Sequence, residues 1–125
     1  MKPERLHLLI GLLWLLGGMV LGEHMGRSND HSQMPTHAHI MLLGGVLSVL
    51  WAIVYRVFGL KQGFIAWIQT VSHHAGAVIM ISALYMMYGQ MAPESQMGPL
   101  LGVAALLAMV SVVLMFLQAL TAKDG

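Results

Sequence analysis

The fold is decided by the stretch from Gly63 to Tyr88, which reads GFIAWIQTVSHHAGAVIMISALYMMY. This stretch contains no aspartate, glutamate, lysine or arginine, and it exceeds the roughly 20 mostly apolar residues that a transmembrane helix needs. Three further stretches qualify: about Leu6 to Met25, about Thr36 to Phe58 and about Pro99 to Ala122. Because the connections are short, successive helices are expected to be antiparallel neighbours. The sequence predicts an all-α membrane protein, a four-transmembrane-helix up-down bundle in which residues 1–125 form one domain.

The composition excludes several classes of protein. Of the 125 residues, 58% are hydrophobic and 9% are charged, whereas average soluble domains carry roughly 25% charged residues. A small soluble domain cannot bury so much apolar surface, which argues against a soluble enzyme. The net charge of +1 does not provide the basic patch of a nucleic-acid binder. Without cysteine, the chain cannot form disulfides, thiolate metal sites or covalent heme attachments. The high apolar content makes the lipid bilayer the expected partner.

The basic residues predict an orientation in the membrane. Arg27 lies alone on one side of a four-span arrangement. The other five basic residues lie on the opposite side: Lys2, Arg5, Arg56, Lys61 and Lys123. This bias predicts a multi-pass protein of the inner (plasma) membrane with both termini cytoplasmic. A basic start before an apolar run is also typical of a signal peptide, but this run is long and no small-x-small cleavage site follows it.

Two adjacent histidines lie near the middle of the third span. His73 and His74 cannot reach either membrane surface, and ionisable residues at this depth are costly and usually functional. His73 shares a helical stripe with Gln69 and Gly76, whereas His74 lies about 100° away around the helix. Both are candidate ligands for a metal or heme, although this spacing predicts that they do not point at the same spot.

The second span begins with another pair, His37 and His39. Residues two apart on a helix point to nearly opposite sides, and helical periodicity places His37 on the smaller, more polar face together with Gly44. The phase of this first turn is unreliable because of Pro35. The remaining histidines are expected to be interfacial polar residues near the helix ends: His7, His24 and His31.

Two cofactors suit these histidines. Paired imidazoles from facing helices hold heme iron in membrane bundles, and Gly44 and Gly76 would open a flat slot for the macrocycle. Copper is the alternative, because imidazole and thioether groups together suit this metal, and histidines and methionines are frequent in the outer segment from Glu23 to Met41. In a third interpretation, the histidines form hydrogen bonds within a non-catalytic scaffold or accessory subunit. The sequence contains no evident pair of a nucleophile and a base, so an enzyme that acts on its own is not expected.

The run THAHIMLLGG at Thr36–Gly45 resembles a segment of the catalytic subunit of heme-copper oxidases, above all of C-type oxidases and nitric oxide reductases. The resemblance implies that His39, with His37 as its neighbour, is an axial ligand of a low-spin heme b. His73 and His74, followed by Ala75 and Gly76, resemble the paired metal-binding histidines of that family.

The same resemblance implies an assembly. The family's catalytic subunit contains three quasi-repeated groups of four helices, so a single four-helix repeat is expected to form a homo-oligomer such as a trimer. The leading expectation is a b-type heme-binding membrane protein that transfers electrons beside a respiratory redox partner.

Overall fold

Four long helices make up the chain in the computed structural model, which describes residues 1–124. They are α1 (Pro3–Ser28), α2 (Met34–Val57), α3 (Phe64–Tyr88) and α4 (Glu94–Thr121). Each helix is long and apolar enough to cross a membrane, and the described residues contain no strand. The predicted class, an all-α four-helix membrane protein, is confirmed.

The fourth helix begins earlier than the sequence predicts. The prediction placed its start near Pro99, whereas α4 starts at Glu94 and has Pro93 as its N-terminal cap residue. A proline in the second turn removes only one backbone hydrogen bond, and an acidic residue in the first turn is favoured by the helix dipole. Pro99 therefore lies inside the helix instead of starting it.

Glycines bring α1 close to α2. A methyl group added at Gly18 would lie 2.8 Å from Ile40 Cγ2, and one at Gly22 would lie 2.8 Å from His37 Cε1. Small residues allow this approach in lipid, where helix association depends on close packing. The GxxxG pair in α1 is thus part of the interface between the first two helices.

A second hairpin forms between α3 and α4. A methyl group added at Gly76 would lie 3.1 Å from the Ala104 carbonyl oxygen and 3.2 Å from the Ala108 nitrogen. By contrast, added methyl groups at Gly98 and Gly102 would have no neighbour within 4 Å. The spacing of Gly98 and Gly102 favours close helix packing, but within the part of the chain that the structure describes these two glycines do not pack closely against another helix.

Polar side chains join the two hairpins. At the end of the bundle that carries both termini, Gln62 Nε2 in the turn before α3 donates to Glu4 Oε2 of α1 over 2.9 Å. Within the first hairpin, Arg56 Nε of α2 donates to Glu4 Oε1 over 3.0 Å. Further along the span, α1 and α2 contact α3 through fully buried histidine, glutamine, threonine and serine side chains. The functional candidates lie in this polar layer.

The helical phase of α2 changes at a π-helical segment, Ile40–Val46. A π-turn inserts an extra residue into an α-helix and rotates everything before it relative to everything after it. Ser48 and Tyr55, which follow the segment, are buried and contact α3. The change of phase in α2 therefore occurs at the π-helical segment, after the first turn that contains Pro35.

Candidate metal centre

Three histidines from two helices converge in the polar layer. His7 of α1 meets His73 and His74 of α3, and one ring nitrogen from each lies within 4.8 Å of the others. The ring centroids are 4.7 Å apart for His7 and His74, 4.8 Å for His73 and His74, and 5.6 Å for His7 and His73. His7 and His73 are fully buried, and His74 is 9% exposed. We call these three residues the histidine triad.

The prediction that His73 and His74 do not point at the same spot is wrong. Their side chains lean towards each other around the helix, and His7 approaches the two rings from the facing helix. The sequence-based expectation that this pair is buried and inward-facing agrees with their burial.

His7 was expected near the membrane surface, yet its ring is completely enclosed. It lies four residues after the start of α1, about 6 Å along the axis, but its side chain points into the bundle. One signal marked the inward face: His7 lies on a helical stripe with Gly11 and Gly18, the glycines that pack against α2. The sequence alone did not identify the histidine's partners, because they lie more than sixty residues away.

The partners of His7 determine its tautomer. Gln69 Oε1 only accepts, so His7 Nε2–H donates to it over 2.9 Å. Thr70 Oγ1 lies 3.1 Å from the same nitrogen and gives its own proton to the Ala66 carbonyl oxygen, so it too accepts from His7. The lone pair of His7 is consequently on Nδ1, which faces His74 Nε2 at 2.9 Å.

Two more side chains support Gln69. Tyr55 donates its hydroxyl proton to Gln69 Oε1 over 3.0 Å, and Gln118 Nε2 donates to the Tyr55 hydroxyl over 3.1 Å. These bonds connect α4, α2 and α3 to the imidazole of α1. Such outer partners orient metal-binding histidines and tune their basicity.

His73 is bound on both ring nitrogens. Trp51 Nε1–H donates to His73 Nδ1 over 3.3 Å, so His73 Nε2 carries the proton and donates to Ser48 Oγ over 2.8 Å. A metal ion at this residue therefore has to replace one of these two bonds. The longer bond to Trp51 is the weaker of the two.

His74 is the exception in the triad. Its Nε2 donates to His7 Nδ1, whereas its Nδ1 is buried without a hydrogen-bond partner among the described residues. Most buried polar atoms in proteins are paired, so an unpaired atom calls for an explanation. Five of the six ring nitrogens are satisfied by protein groups, and the sixth, His74 Nδ1, is the one nitrogen of the triad that a change of tautomer leaves without a lost bond.

The two histidines at the start of α2 lie elsewhere. The ring of His37 packs against Gly22 of α1, and its Nδ1 is buried without a described partner. His39 is partly exposed, and its Nδ1 lies 2.8 Å from the Pro35 carbonyl oxygen. Neither joins the triad, which is the one group of three possible metal ligands among residues 1–124.

The glycines expected to open a heme slot are in contact with protein atoms. A methyl group at Gly44 would lie 2.7 Å from the Trp14 indole, and Gly76 packs against the backbone of α4. These positions therefore admit neighbouring parts of the chain instead of a macrocycle.

Comparison with known proteins adds no assignment: no family model, no curated protein and no solved structure matches this chain. These comparisons contain nothing that indicates a relationship to the heme-copper oxidases.

Proposed function

We propose that this protein binds a transition-metal ion, zinc or copper, inside the membrane through His7, His73 and His74. The observation that carries the proposal is the convergence of three buried imidazoles on one point, with His7 Nδ1 and His74 Nε2 only 2.9 Å apart. Imidazole nitrogen is a preferred ligand of both metals. Three protein ligands leave one coordination position open in a tetrahedral site.

The distances suit a single ion with small adjustments. Two nitrogens bound tetrahedrally at about 2.0–2.1 Å lie about 3.3 Å apart, so His7 and His74 have to separate by only a few tenths of an ångström. Moving the His74 proton from Nε2 to Nδ1 frees the lone pair that faces His7. His74 can make this change without losing a bond at Nδ1, which has no partner.

The surroundings also support an ion. His7 keeps its hydrogen bond to Gln69 when its Nδ1 binds a metal, and this is the outer-shell arrangement typical of metal-ligating histidines. Burying three neutral imidazoles together in a membrane is costly unless their polar atoms are satisfied. An ion bound to His7 Nδ1 and His74 Nε2 would replace the hydrogen bond between these two nitrogens.

The test is metal binding by the detergent-purified full chain. We expect elemental analysis and calorimetry with Zn²⁺ and Cu²⁺ to give one ion per chain at pH 7. Since imidazoles bind metal only when deprotonated, the affinity should fall as the solution is acidified. The variants His7→Ala and His74→Ala should each lose at least about 100-fold in affinity, because even outer-shell partners of ligands contribute 10–100-fold.

The matched control is His31→Ala, which removes an exposed histidine from the opposite end of the bundle. It should bind the ion like the unaltered protein. If unaltered protein binds no ion, or if His7→Ala and His31→Ala bind equally well, the triad is not a metal site. The histidines would then have the hydrogen-bonding role of a scaffold subunit.

Heme b at His39 is the second candidate, and one contact favours it. The bond from His39 Nδ1–H to the Pro35 carbonyl oxygen leaves the Nε2 lone pair free for an axial ligand bond. Macrocycle binding between His7 and His74 is not supported, since their rings are in direct hydrogen-bond contact. A Soret band with sharp α and β bands on reduction, lost in His39→Ala, would establish this candidate.

Three other expectations remain predictions. They are copper binding at the outer face, a homo-oligomer such as a trimer, and electron transfer with a respiratory redox partner. For copper binding at the outer face, the most relevant feature is the buried Nδ1 of His37, which has no described hydrogen-bond partner.

A further inference from the structure

A large groove lies at the end of the bundle that carries both termini. Its volume is about 1080 Å³, just above the range of about 300–1,000 Å³ for ligand sites. The groove is bounded by the end of α2, the turn after it, the start of α3 and the end of α4. It does not include the histidine triad, so it is independent of the proposed metal site.

The groove exists because α4 packs along α3 and only touches α2. The described contacts between these helices at this end include the hydrogen bond from Gln118 to Tyr55 and the packing of Met115 against Tyr55 and Leu60. Beyond those contacts the space between the two helices is unfilled. Leu60, which is 6% exposed, lines the groove.

The walls of the groove are apolar. Phe58 and Phe64 lie on one side, Leu114 and Leu117 lie on the other, and three of these four side chains are more than 45% exposed. In a membrane, such a surface contacts an acyl chain. The walls alone do not distinguish one lipid from another.

Two lysines give the groove a charge. Lys61 and Lys123 line it together with the acidic Asp124, and neither lysine makes a salt bridge among residues 1–124. The neighbouring cation, Arg56, is paired with Glu4. The groove therefore offers two unpaired ammonium groups beside an apolar channel, the arrangement expected for an anionic headgroup with its acyl chain.

We infer that this groove is a binding site for one anionic phospholipid, whose phosphate contacts Lys61 and Lys123 and whose acyl chain lies between α2 and α4. The position suits such a lipid, because basic pockets between helices at one membrane face bind anionic headgroups. Each lysine is expected to favour an anionic over a zwitterionic headgroup by roughly fivefold. The two together would give about 30-fold, and Asp124 in the same groove opposes them, so the expected preference lies between about fivefold and 30-fold.

The test is native mass spectrometry of the full chain in detergent, titrated with phosphatidylglycerol or phosphatidylcholine that carry the same acyl chains. We expect one phosphatidylglycerol per chain and the preference given above. The double variant Lys61→Gln/Lys123→Gln should lose that preference. Lys2→Gln, which removes a charge at the same end but outside the groove, should keep it.

A second pair of variants tests the apolar part of the site. Leu117→Trp narrows the groove and should weaken the binding of both lipids, whereas Leu106→Trp, on an exposed position of the same helix outside the groove, should not. Equal binding of the two lipids by unaltered protein would overturn the inference. An equal preference for phosphatidylglycerol in the double lysine variant and in Lys2→Gln would also overturn it. So would a dimer of the unaltered protein that Leu117→Trp dissociates, since the groove would then bind a second copy of the chain.

Discussion

Imidazole tautomers in the triad follow from partners that can only donate or only accept. Trp51 can only donate, so His73 Nδ1 accepts; Gln69 Oε1 can only accept, so His7 Nε2 donates. His74 alone has a nitrogen without a described partner. A metal ion therefore enters a site in which two rings are oriented in advance and the third is free to change its tautomer.

The orienting role of Gln69 leads to a prediction. In Gln69→Leu, His7 loses its main hydrogen-bond acceptor, and metal affinity should fall by about 10–100-fold, as for other outer-shell changes. Stability should also fall, by about 1–3 kcal/mol, because the buried Tyr55 hydroxyl loses its acceptor, and the removal of the unpartnered Gln69 Nε2 offsets only part of that cost. Calorimetric titration with Zn²⁺ and thermal unfolding in detergent measure the two effects.

Ser111→Ala is the control for this change. Ser111 is also fully buried, but its hydroxyl bonds to the Ala108 carbonyl oxygen and does not contact the triad. It should leave metal affinity unchanged. Equal affinities for the two variants would mean that Gln69 does not position His7.

Among the elements, α2 determines how the first hairpin meets the second. Its π-helical segment, Ile40–Val46, separates His37, which packs against Gly22 of α1, from Ser48, which lies against Gly11 of α1 and also bonds to His73 of α3. A regular α-helix of the same sequence would rotate one of these ends by about 100°. α2 thus contacts both α1 and α3, and the π-helical segment sets the phase between its two ends.

Close packing against this region predicts a stability difference within α1. A side chain at Gly11 would meet Ser48 Cβ at 2.9 Å and the Gly45 carbonyl oxygen at 3.1 Å, whereas one at Gly17 would meet nothing within 4 Å. Gly11→Leu should therefore lower the free energy of unfolding by about 1–3 kcal/mol through overpacking. Thermal unfolding in detergent should leave Gly17→Leu at least as stable as the unaltered chain, and similar losses in both would contradict this packing.

Across the whole molecule, the two hairpins depend on polar contacts for their assembly. The bonds of Glu4, His7 and Ser48 to α3 and its preceding turn cross the boundary between them. In lipid, hydrogen bonds between helices contribute to association because apolar side chains gain little by leaving the acyl chains. The triad is consequently part of what holds the hairpins together.

The arrangement of the ends can be tested with single cysteines, because the natural chain has none. Lys2→Cys and Lys123→Cys should react with an impermeant thiol reagent from one side of the membrane, and Ser32→Cys from the other. The distribution of basic residues predicts that the first two face the cytoplasm. Reaction of Lys2→Cys and Ser32→Cys from the same side would contradict the four-span topology.

Several features of the protein were predictable from the sequence because they depend on local composition. Four long apolar runs require four helices in a membrane, where backbone groups must be satisfied internally. Local composition also identified His73 and His74, because they are ionisable residues in a span that contains no charged residue. The spacing of Gly18 and Gly22 in α1 likewise favours a close helix contact, because small residues four apart lie on one face of a helix.

Only the tertiary structure decided which histidines meet. His7 resembled an interfacial residue until α1 was placed against α3. His37 and His39 resembled ligands, but they lie about 14–17 Å along the helix axis from Ser48, the α2 residue that bonds to His73. Helical periodicity states which residues share a face, but it does not state which face of another helix lies opposite. That choice depends on packing between residues distant in the chain, and it produced the triad.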